Sequence, residues 1–215
     1  DNTGKHSVIV EYNDDARKHI HILLSSHFIY EQKKQLRYLQ QYTVQLPTYT
    51  IEKIGIPSIV LMEHAACKTV EVLESEQVDC SSVLIVCGSG NNGGDGFAIA
   101  RLLRKKGSKV TVFFAGNANS MSEECRIQAK IVKNMEIPIV TEMPEEEYTV
   151  VLDAIFGVGL NREVVGRYRK ILEQLNKKKG KKIAVDIPSG IHAEDGKVLG
   201  KAFRADLTVS FQCEK

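Results

Sequence analysis

The chain has 215 residues, of which 43% are hydrophobic, so it can bury a sizeable core as one folded domain. Its 29 basic and 27 acidic residues give a formal net charge of +2, which excludes a global field that recruits nucleic acid or an anionic membrane. No apolar run is long enough to span a bilayer, and residues 1–15 lack the apolar core of a signal peptide.

Five cysteines are spread along the chain without a C-x-x-C pair or a dense framework. This pattern is typical of proteins from a reducing compartment. We therefore expect no disulfides and a cytoplasmic location, with neither nucleic acid nor a membrane as a partner.

Residues 1–45 have the weakest pattern in the chain. The stretch 11–40 shows patches of helical periodicity, but neither clear caps nor the alternation of a strand. We predict a helix in this N-terminal segment and leave its role unassigned. The main domain is expected to comprise residues 46–215.

From about residue 58 onward, apolar β-branched runs alternate with stretches of helical period. This alternation predicts an α/β domain in which helices cover a parallel sheet. The predicted strands are residues 83–87, 109–114, 137–141, 149–153, 182–186 and 207–211. The predicted helices are residues 59–76, 95–106, 122–135 and 167–178.

Residues 82–96 read SVLIVCGSGNNGGDG, an apolar strand that runs into a loop of glycine, asparagine and aspartate. Gly88, Gly90 and Gly93 form the G-x-G-x-x-G pattern, which lets a backbone approach a pyrophosphate at the start of a helix. That pattern also needs an acidic residue about 20 positions further on to bind a ribose hydroxyl, and the next strand ends without one. The loop therefore predicts a phosphate-bearing ligand and argues against an NAD-dependent dehydrogenase.

Two further predicted strands end in polar loops that contain glycine. Asp153 ends one of these strands and is followed by Gly157 and Gly159, while Asp186 ends the next and is followed by Ser189. Ligands of open α/β sheets bind outside the carboxyl ends of the strands, so we expect all three loops to line one crevice. Taken alone, each aspartate also fits a helix cap or a loop hydrogen bond, and Ser189 also fits a turn cap.

The side chains of Asn92, Asp153 and Ser189 offer only oxygen ligands. Oxygen ligands favour a hard cation, and a single carboxylate among them is compatible with a monovalent ion. Asp186 then remains free beside a phosphate-binding loop. We interpret it as a candidate general acid or base.

Five segments in the same order resemble the YjeF amino-terminal domain family, the NAD(P)H-hydrate epimerases. They are GIPSIVLMEHAA (55–66), GSGNNGGDGFAIARLL (88–103), LDAIFGVGLNREV (152–164), AVDIPSGIHAEDG (184–196) and ADLTVSF (205–211). The resemblance implies a Rossmann-like three-layer fold with a mainly parallel central sheet. It also implies an isomerase that interconverts the R and S hydrates of damaged NADH and NADPH (NADHX and NADPHX), for cofactor repair.

By position, the resemblance implies one potassium ion per subunit, bound by Asn92, Asp153 and Ser189. Asp186 is expected to contact the substrate and to transfer the proton, with Asp95 as a second candidate. The remaining residues implied to bind substrate are Asn91, Asn92, Gly93, Gly94, Asp95, Gly157, Val158, Gly159, Leu160, Asn161, Arg162 and Glu163.

The resemblance further implies a homodimer that works with an ADP- or ATP-dependent NAD(P)H-hydrate dehydratase, which some members carry in the same chain. The sequence differs from the family before the GIPS motif, where Pro47 interrupts the expected helix, and after residue 211, where the family continues into another strand. We therefore expect the sheet edge at residues 207–211 to be exposed.

Two other classes of function remain open at this stage. One is a non-catalytic binding or scaffold module of the same fold, and the other is a nucleotide-binding phosphotransferase or dehydrogenase. Non-catalytic modules tend to lose polar site residues, whereas this chain retains Asn92, Asp95, Asp153, Asp186 and Ser189. No G-x-x-x-x-G-K-[ST] loop occurs, which argues against the phosphotransferase.

Overall fold

The computed structural model describes residues 50–210 in full and, before them, the backbone of residues 8–13 and 17–22. The strands of this described part are β1 Val8–Asn13, β2 Arg17–Ile22, β3 Ser82–Cys87, β4 Lys109–Phe114, β5 Ile139–Val140, β6 Val150–Ala154, β7 Lys181–Val185 and β8 Leu207–Ser210. Its α-helices are α1 Ser58–Ser75, α2 Asn91–Lys105, α3 Glu123–Asn134 and α4 Gly166–Lys177. None of these helices is long and apolar enough to cross a membrane.

The strands form a single sheet in the order β1-β2-β8-β7-β6-β3-β4-β5. Every neighbouring pair is parallel except β1 and β2, which are antiparallel. The chain builds outward from β3 through β4 to β5, then returns to the other side of β3 with β6 and continues to β8. The strand order therefore reverses between β3 and β6, and such a reversal opens a crevice at the carboxyl ends of the two strands.

Helices cover both faces of this sheet, which confirms the predicted three-layer α/β fold. Alternate residues of β3 point to opposite faces, so Ile85 packs in the cluster with α1, α2 and α3, while Leu84 packs in the cluster with α4. Both residues are fully buried. The two apolar clusters hold the strand ends in fixed positions, and the loops that follow these ends form the crevice.

The predicted helix in residues 1–45 is wrong where the structure describes this segment, because residues 8–13 and 17–22 are strands. Their sequences, VIVEYN and RKHIHI, include the β-branched residues and the alternation that suit strands. The rest of that segment lies outside the described residues. The predicted exposed edge at β8 is also wrong, since β2 pairs with β8 in parallel.

Most other predicted elements are confirmed to within one or two residues, with two differences. The predicted strand 137–141 is reduced to Ile139–Val140. The second helix begins at Asn91 rather than at residue 95, so the asparagines and glycines belong to its first turn. The extended conformation of Gly90 allows this early start, because it ends the preceding loop directly before the helix.

Candidate functional site

The first turn of α2 forms one wall of the candidate site. It follows β3 at the carboxyl edge of the sheet, and no side chain caps it. Uncapped N–H groups at a helix start favour an anionic oxygen atom. This geometry agrees with the phosphate-bearing ligand that the glycine pattern predicts.

Glycine is required behind this turn because two chain segments meet there. A Cβ atom on Gly93 would overlap the backbone of Gly88, and a Cβ atom on Gly88 would overlap the carbonyl oxygen of Ile155. The sequence interpretation assigned these glycines to contact with a ligand. In the structure they bring the first turn of α2 against the loop that follows β6.

Asn92 lies on this first turn and points into the space between the loops. Its side chain is buried, with the residue 8% exposed, yet neither its amide nitrogen nor its amide oxygen has a hydrogen-bond partner. Leaving a buried amide unpaired costs about 1–3 kcal/mol. Such an unpaired group in a native fold marks the position of a ligand, an ion or a water molecule.

Gly157 brings Asn92 and Asp186 together, although the first lies on α2 and the second follows β7. A Cβ atom added to Gly157 would lie 2.8 Å from Oδ2 of Asp186 and 3.4 Å from Cβ of Asn92. The neighbouring N–H of Val158 donates a hydrogen bond to Oδ2 of Asp186 at 3.1 Å. The predicted convergence of these loops is therefore present, and it depends on the missing side chain of Gly157.

Asp186 has an unusual backbone for a residue with a side chain, with φ at +68°. Its N–H donates to the carbonyl of Val209 at 2.7 Å, and its carbonyl accepts from the hydroxyl of Ser210 at 2.6 Å. A non-glycine residue held in the left-handed region of φ stores backbone strain, which is common at functional sites. Burial raises the pKa of its carboxyl group, and the hydrogen bond from Val158 opposes that rise.

Asp153 and Ser189 form a buried pair directly beneath this crevice. The hydroxyl of Ser189 lies 2.7 Å from Oδ1 of Asp153, and the N–H of Ser189 donates to Oδ2 at 2.8 Å. The N–H of Ile155 also donates to Oδ1, at 3.1 Å. Burial raises the pKa of Asp153 to about 6 despite these three hydrogen bonds.

Asp95 follows Asn92 by three positions on α2, which places both on the same side of the helix. It is partly exposed, as is Asp186. Burial raises the pKa of Asp95 well above its ordinary value, and the negative charge of Asp186 raises it further. The two carboxyl groups therefore belong to one electrostatic environment.

The outer part of the loop after β6 lies away from this cluster. Leu160, Arg162 and Glu163 line a separate cavity of about 170 Å³ together with Phe156 and Tyr168, whose rings lie 4.8 Å apart. Val158, Gly159 and Asn161 are exposed. The structure therefore divides the predicted substrate loop into an inner part beside Asp186 and an outer part beside an aromatic pair.

Sequence reasoning missed two residues that support the site. Ser210 holds the backbone of Asp186, and Phe156 donates its N–H to the hydroxyl of Ser189 at 2.9 Å. Ser210 ends β8, which neighbours β7, so its place at the carboxyl edge was a signal that could have identified it. Phe156 contributes only a backbone group, and its side chain gave no such signal.

The fold and the site together define a Rossmann-like α/β protein that has an acidic, phosphate-compatible crevice at the topological switch point of its sheet. Residues 58–215 match the family described as YjeF-related protein N-terminus. The chain belongs to this family, as the resemblance of its motifs implied.

Similar proteins include several bacterial ones that carry the name NAD(P)H-hydrate epimerase. The protein from Weissella koreensis is 42% identical over 172 residues, which cover 80% of this chain and 78% of that protein. The protein from Oenococcus oeni is 42% identical over 169 residues, which cover 78% of this chain and 80% of that protein. A protein from Limosilactobacillus reuteri is 43% identical over 169 residues, with the same coverage.

The crystal structure of yeast ynu0 has a similar fold. Its TM-score is 0.68 at 21% identity, and the match covers 81% of this chain and 78% of the yeast chain. At that level of identity the likeness concerns the fold alone. It confirms the Rossmann-like architecture independently of the sequence motifs.

Proposed function

We propose that this chain is an NAD(P)H-hydrate epimerase, an isomerase that interconverts the R and S hydrates of NADH and NADPH in cofactor repair. The observation that carries this proposal is the meeting of Asn92, Gly157 and Asp186 in a chain about 42% identical to proteins of that name. The crevice holds an unpaired amide and two carboxyl groups with raised pKa values. The unpaired amide suits any module that binds a ligand, whereas two carboxyl groups with raised pKa values suit proton transfer and therefore favour an enzyme.

The proposed substrate-binding residues are those that the family resemblance implies, and the crevice supports the inner ones among them. The uncapped first turn of α2 suits the phosphates of a dinucleotide, and the absence of a side chain at Gly157 lets the carboxylate of Asp186 lie beside Asn92 of that turn. The residues proposed to line the site are Asn91, Asn92, Gly93, Gly94, Asp95, Gly157, Val158, Gly159, Leu160, Asn161, Arg162, Glu163 and Asp186.

Asp186 is the proposed proton-transfer residue. Its raised pKa keeps part of the population protonated closer to neutral pH than a solvated carboxyl group, as suits a general acid. The hydrogen bonds at Val209 and Ser210 fix its backbone, so its carboxyl group has a defined position against a bound ring. Such a group assists the breaking and remaking of the carbon–oxygen bond at the hydrated ring carbon.

Asn92, Asp153 and Ser189 are compatible with a potassium ion. A carboxylate offers about four lone-pair positions, and three of those on Asp153 are occupied by hydrogen bonds. Asp153 forms no ion pair within residues 50–210, and the amide oxygen of Asn92 has no partner. A potassium ion would supply the missing positive charge and hold the loops together.

An assay with NADHX tests the proposed function directly. We expect a purified single epimer to equilibrate far faster with the protein than without it, and Asp186→Asn to lower this rate at least 100-fold, the scale of general acid–base catalysis. Titration with intact NADH is expected to show nearly unchanged binding in the variant. Full epimerisation by Asp186→Asn would remove that residue from the mechanism, and no epimerisation by the folded wild-type chain would favour the binding module.

Thermal unfolding tests the potassium site without measuring activity. A cation that binds only the folded state raises the melting temperature, so potassium should stabilise the wild-type protein more than the same concentration of tetramethylammonium. Asn92→Ala is expected to lose most of this difference. An equal response in both proteins would contradict Asn92 as a ligand.

The wider assignment rests on the family and on composition. We propose a cytoplasmic homodimer that supplies a single epimer to an ADP- or ATP-dependent NAD(P)H-hydrate dehydratase. The near balance of 29 basic and 27 acidic residues supports a small-molecule substrate rather than nucleic acid. Sedimentation of the purified chain and coupling of its product to that dehydratase test both statements.

A further inference from the structure

The proposed reaction places a demand on the site that one carboxyl group does not meet. The R and S hydrates carry their hydroxyl groups on opposite faces of the ring. A carboxyl group with a fixed backbone, such as Asp186, reaches one of these faces. Interconversion by breaking and remaking the carbon–oxygen bond therefore calls for a proton-transfer group on each face.

Asp95 approaches the crevice from a different side than Asp186. Asp186 follows β7, whereas Asp95 lies on α2, which follows β3, and β6 runs between these strands. The strands β7 and β3 lie two strand spacings apart, about 10 Å, so the two residues enter the crevice from opposite sides of the loop that follows β6. The loop that follows β6 and contains Gly157 lies between them, with the carboxylate of Asp186 against that glycine.

The buried amide of Asn92 independently indicates that a ligand occupies this space. Asn92 shares a face of α2 with Asp95, and its side chain lies against Gly157, as does the carboxylate of Asp186. Its two polar atoms are buried without partners. A polar ligand or ion in the crevice can satisfy them, and the carboxylate of Asp186 lies beside the same glycine.

The electrostatic surroundings of Asp95 and Asp186 suit a pair in which one carboxyl group is protonated and the other ionised. Neither Asp95 nor Asp186 forms an ion pair within residues 50–210. The charge of Asp186 opposes ionisation of Asp95, and Cys87 and Cys125, whose thiols are kept neutral by burial, are the other titratable groups that interact with it. Because ionisation of Asp186 opposes ionisation of Asp95, the pair favours one protonated and one ionised carboxyl group.

We propose that Asp95 is a second catalytic residue, which transfers a proton on the ring face opposite to the face served by Asp186. This inference rests on the proposed epimerase function.

The protonated carboxyl group donates its proton to the substrate hydroxyl, and the carbon–oxygen bond breaks with its electron pair leaving on water. A ring cation remains, stabilised by the ring nitrogen. Water adds to the other face and loses a proton to the second carboxylate, so one proton passes from one aspartate to the other, and exchange with solvent restores the pair.

Oxygen-18 water distinguishes this arrangement from a structural role of Asp95. With wild-type protein and a single purified epimer of NADHX, the newly formed epimer should carry solvent oxygen from the first turnovers. Asp95→Asn should lower epimerisation at least 100-fold. One epimer should still exchange its oxygen without inverting, because Asp186 can break and remake the bond on its own face. Asp186→Asn should show the same behaviour with the opposite epimer.

Matched controls accompany these measurements. Asp79→Asn changes an exposed aspartate just before the amino-terminal end of β3, whereas the candidate site lies at the carboxyl ends of the strands. This variant is expected to behave as wild type. Asp95→Glu keeps a carboxyl group and should recover part of the epimerisation lost in Asp95→Asn. Binding of intact NADH by each variant reports whether the site is folded, and spontaneous epimerisation is subtracted using samples without protein.

The possible results separate the two proposals. Wild-type epimerisation combined with an unchanged rate in Asp95→Asn overturns the second catalytic residue and leaves the epimerase intact. A wild-type product that retains its original oxygen also overturns it, and this measurement does not depend on any variant folding. Loss of oxygen exchange from both epimers in a folded Asp95→Asn protein assigns Asp95 a structural role. Failure of the wild-type chain to epimerise overturns both proposals.

Discussion

At the scale of single residues, the site depends on a position where a side chain is missing. Gly157 allows Asn92 and Asp186 to lie close to the same glycine, because a Cβ atom added there would lie 3.4 Å from Cβ of Asn92 and 2.8 Å from Oδ2 of Asp186. Its φ angle is not in the left-handed region, so the backbone itself accepts other residues. The need for glycine here is therefore a need for space beside the carboxylate.

Gly157→Ala tests this need for space. The added methyl group would push the carboxylate of Asp186 from its position, and we expect kcat/KM for epimerisation to fall at least tenfold, which corresponds to about 1.4 kcal/mol. Gly159→Ala in the same loop adds a methyl group with no atom within 4 Å. It should lose clearly less activity than Gly157→Ala, and equal losses would show that loop flexibility rather than crowding is responsible.

At the scale of secondary-structure elements, α2 is held in place by polar contacts with both neighbouring helices. Arg101 pairs with Glu63 of α1 and donates through Nε to the side-chain oxygen of Gln128 on α3 at 2.9 Å. Gln128 is 2% exposed. A buried polar link of this kind fixes the position of α2, and with it the first turn that carries Asn92 and Asp95.

Gln128→Ala is expected to destabilise the protein by about 1–3 kcal/mol, because it leaves a half-buried guanidinium group short of an acceptor. Urea unfolding followed by circular dichroism measures this free energy. Glu173→Gln on α4 is the matched control, since it breaks an exposed pair with Arg169 and should change the stability by less than about 1 kcal/mol. Similar effects of both changes would contradict the structural role of Gln128.

The start of α2 is also the element that sequence reasoning placed least well. Glycine and asparagine disfavour a helix interior, so the pattern predicted a loop up to residue 94 and a helix from residue 95. Packing of Gly93 against Gly88, and of Gly94 against Met62 and Cys125, overrides this propensity because larger residues do not fit. Local preferences did not reveal this, since the contacts come from distant segments.

At the scale of the whole molecule, residues 17–22 extend the parallel sheet beyond β8. Ile20 pairs in register with Val209, and β1 closes the far side of β2 in antiparallel orientation. Val209 and Ser210 also form hydrogen bonds with the backbone of Asp186. The β1–β2 hairpin therefore borders the strand that positions Asp186. The N-terminal segment therefore supports the site indirectly.

Deletion of residues 1–22 tests this extension of the sheet. Without β2, the amide groups of β8 lose pairing partners, so hydrogen exchange in residues 207–210 should accelerate while exchange in the central strand β3 stays slow. Mass spectrometry of peptides from both strands measures the difference. Unchanged protection of β8 would contradict its pairing with β2.

Much of the architecture could be read from the chain alone, because its period-2 and period-3.6 patterns are local and strong after residue 58. These patterns predicted the α/β class, the order of strands and helices, and the polar loops at Asp153 and Asp186. The motifs identified the family, which the match over residues 58–215 confirms. The potassium ligands and the boundary at residue 46 stay predictions.

Only the tertiary structure determines the arrangement of the site. The contact of Gly157 with Asn92 and Asp186 joins a helix start and two loops that are far apart in sequence, and the pairing of β2 with β8 spans most of the chain. Asp186, with its φ angle of +68°, likewise donates a hydrogen bond to Val209 and accepts one from Ser210, both on β8. Periodicity reports which face of an element is buried, whereas these features depend on which neighbour each face meets.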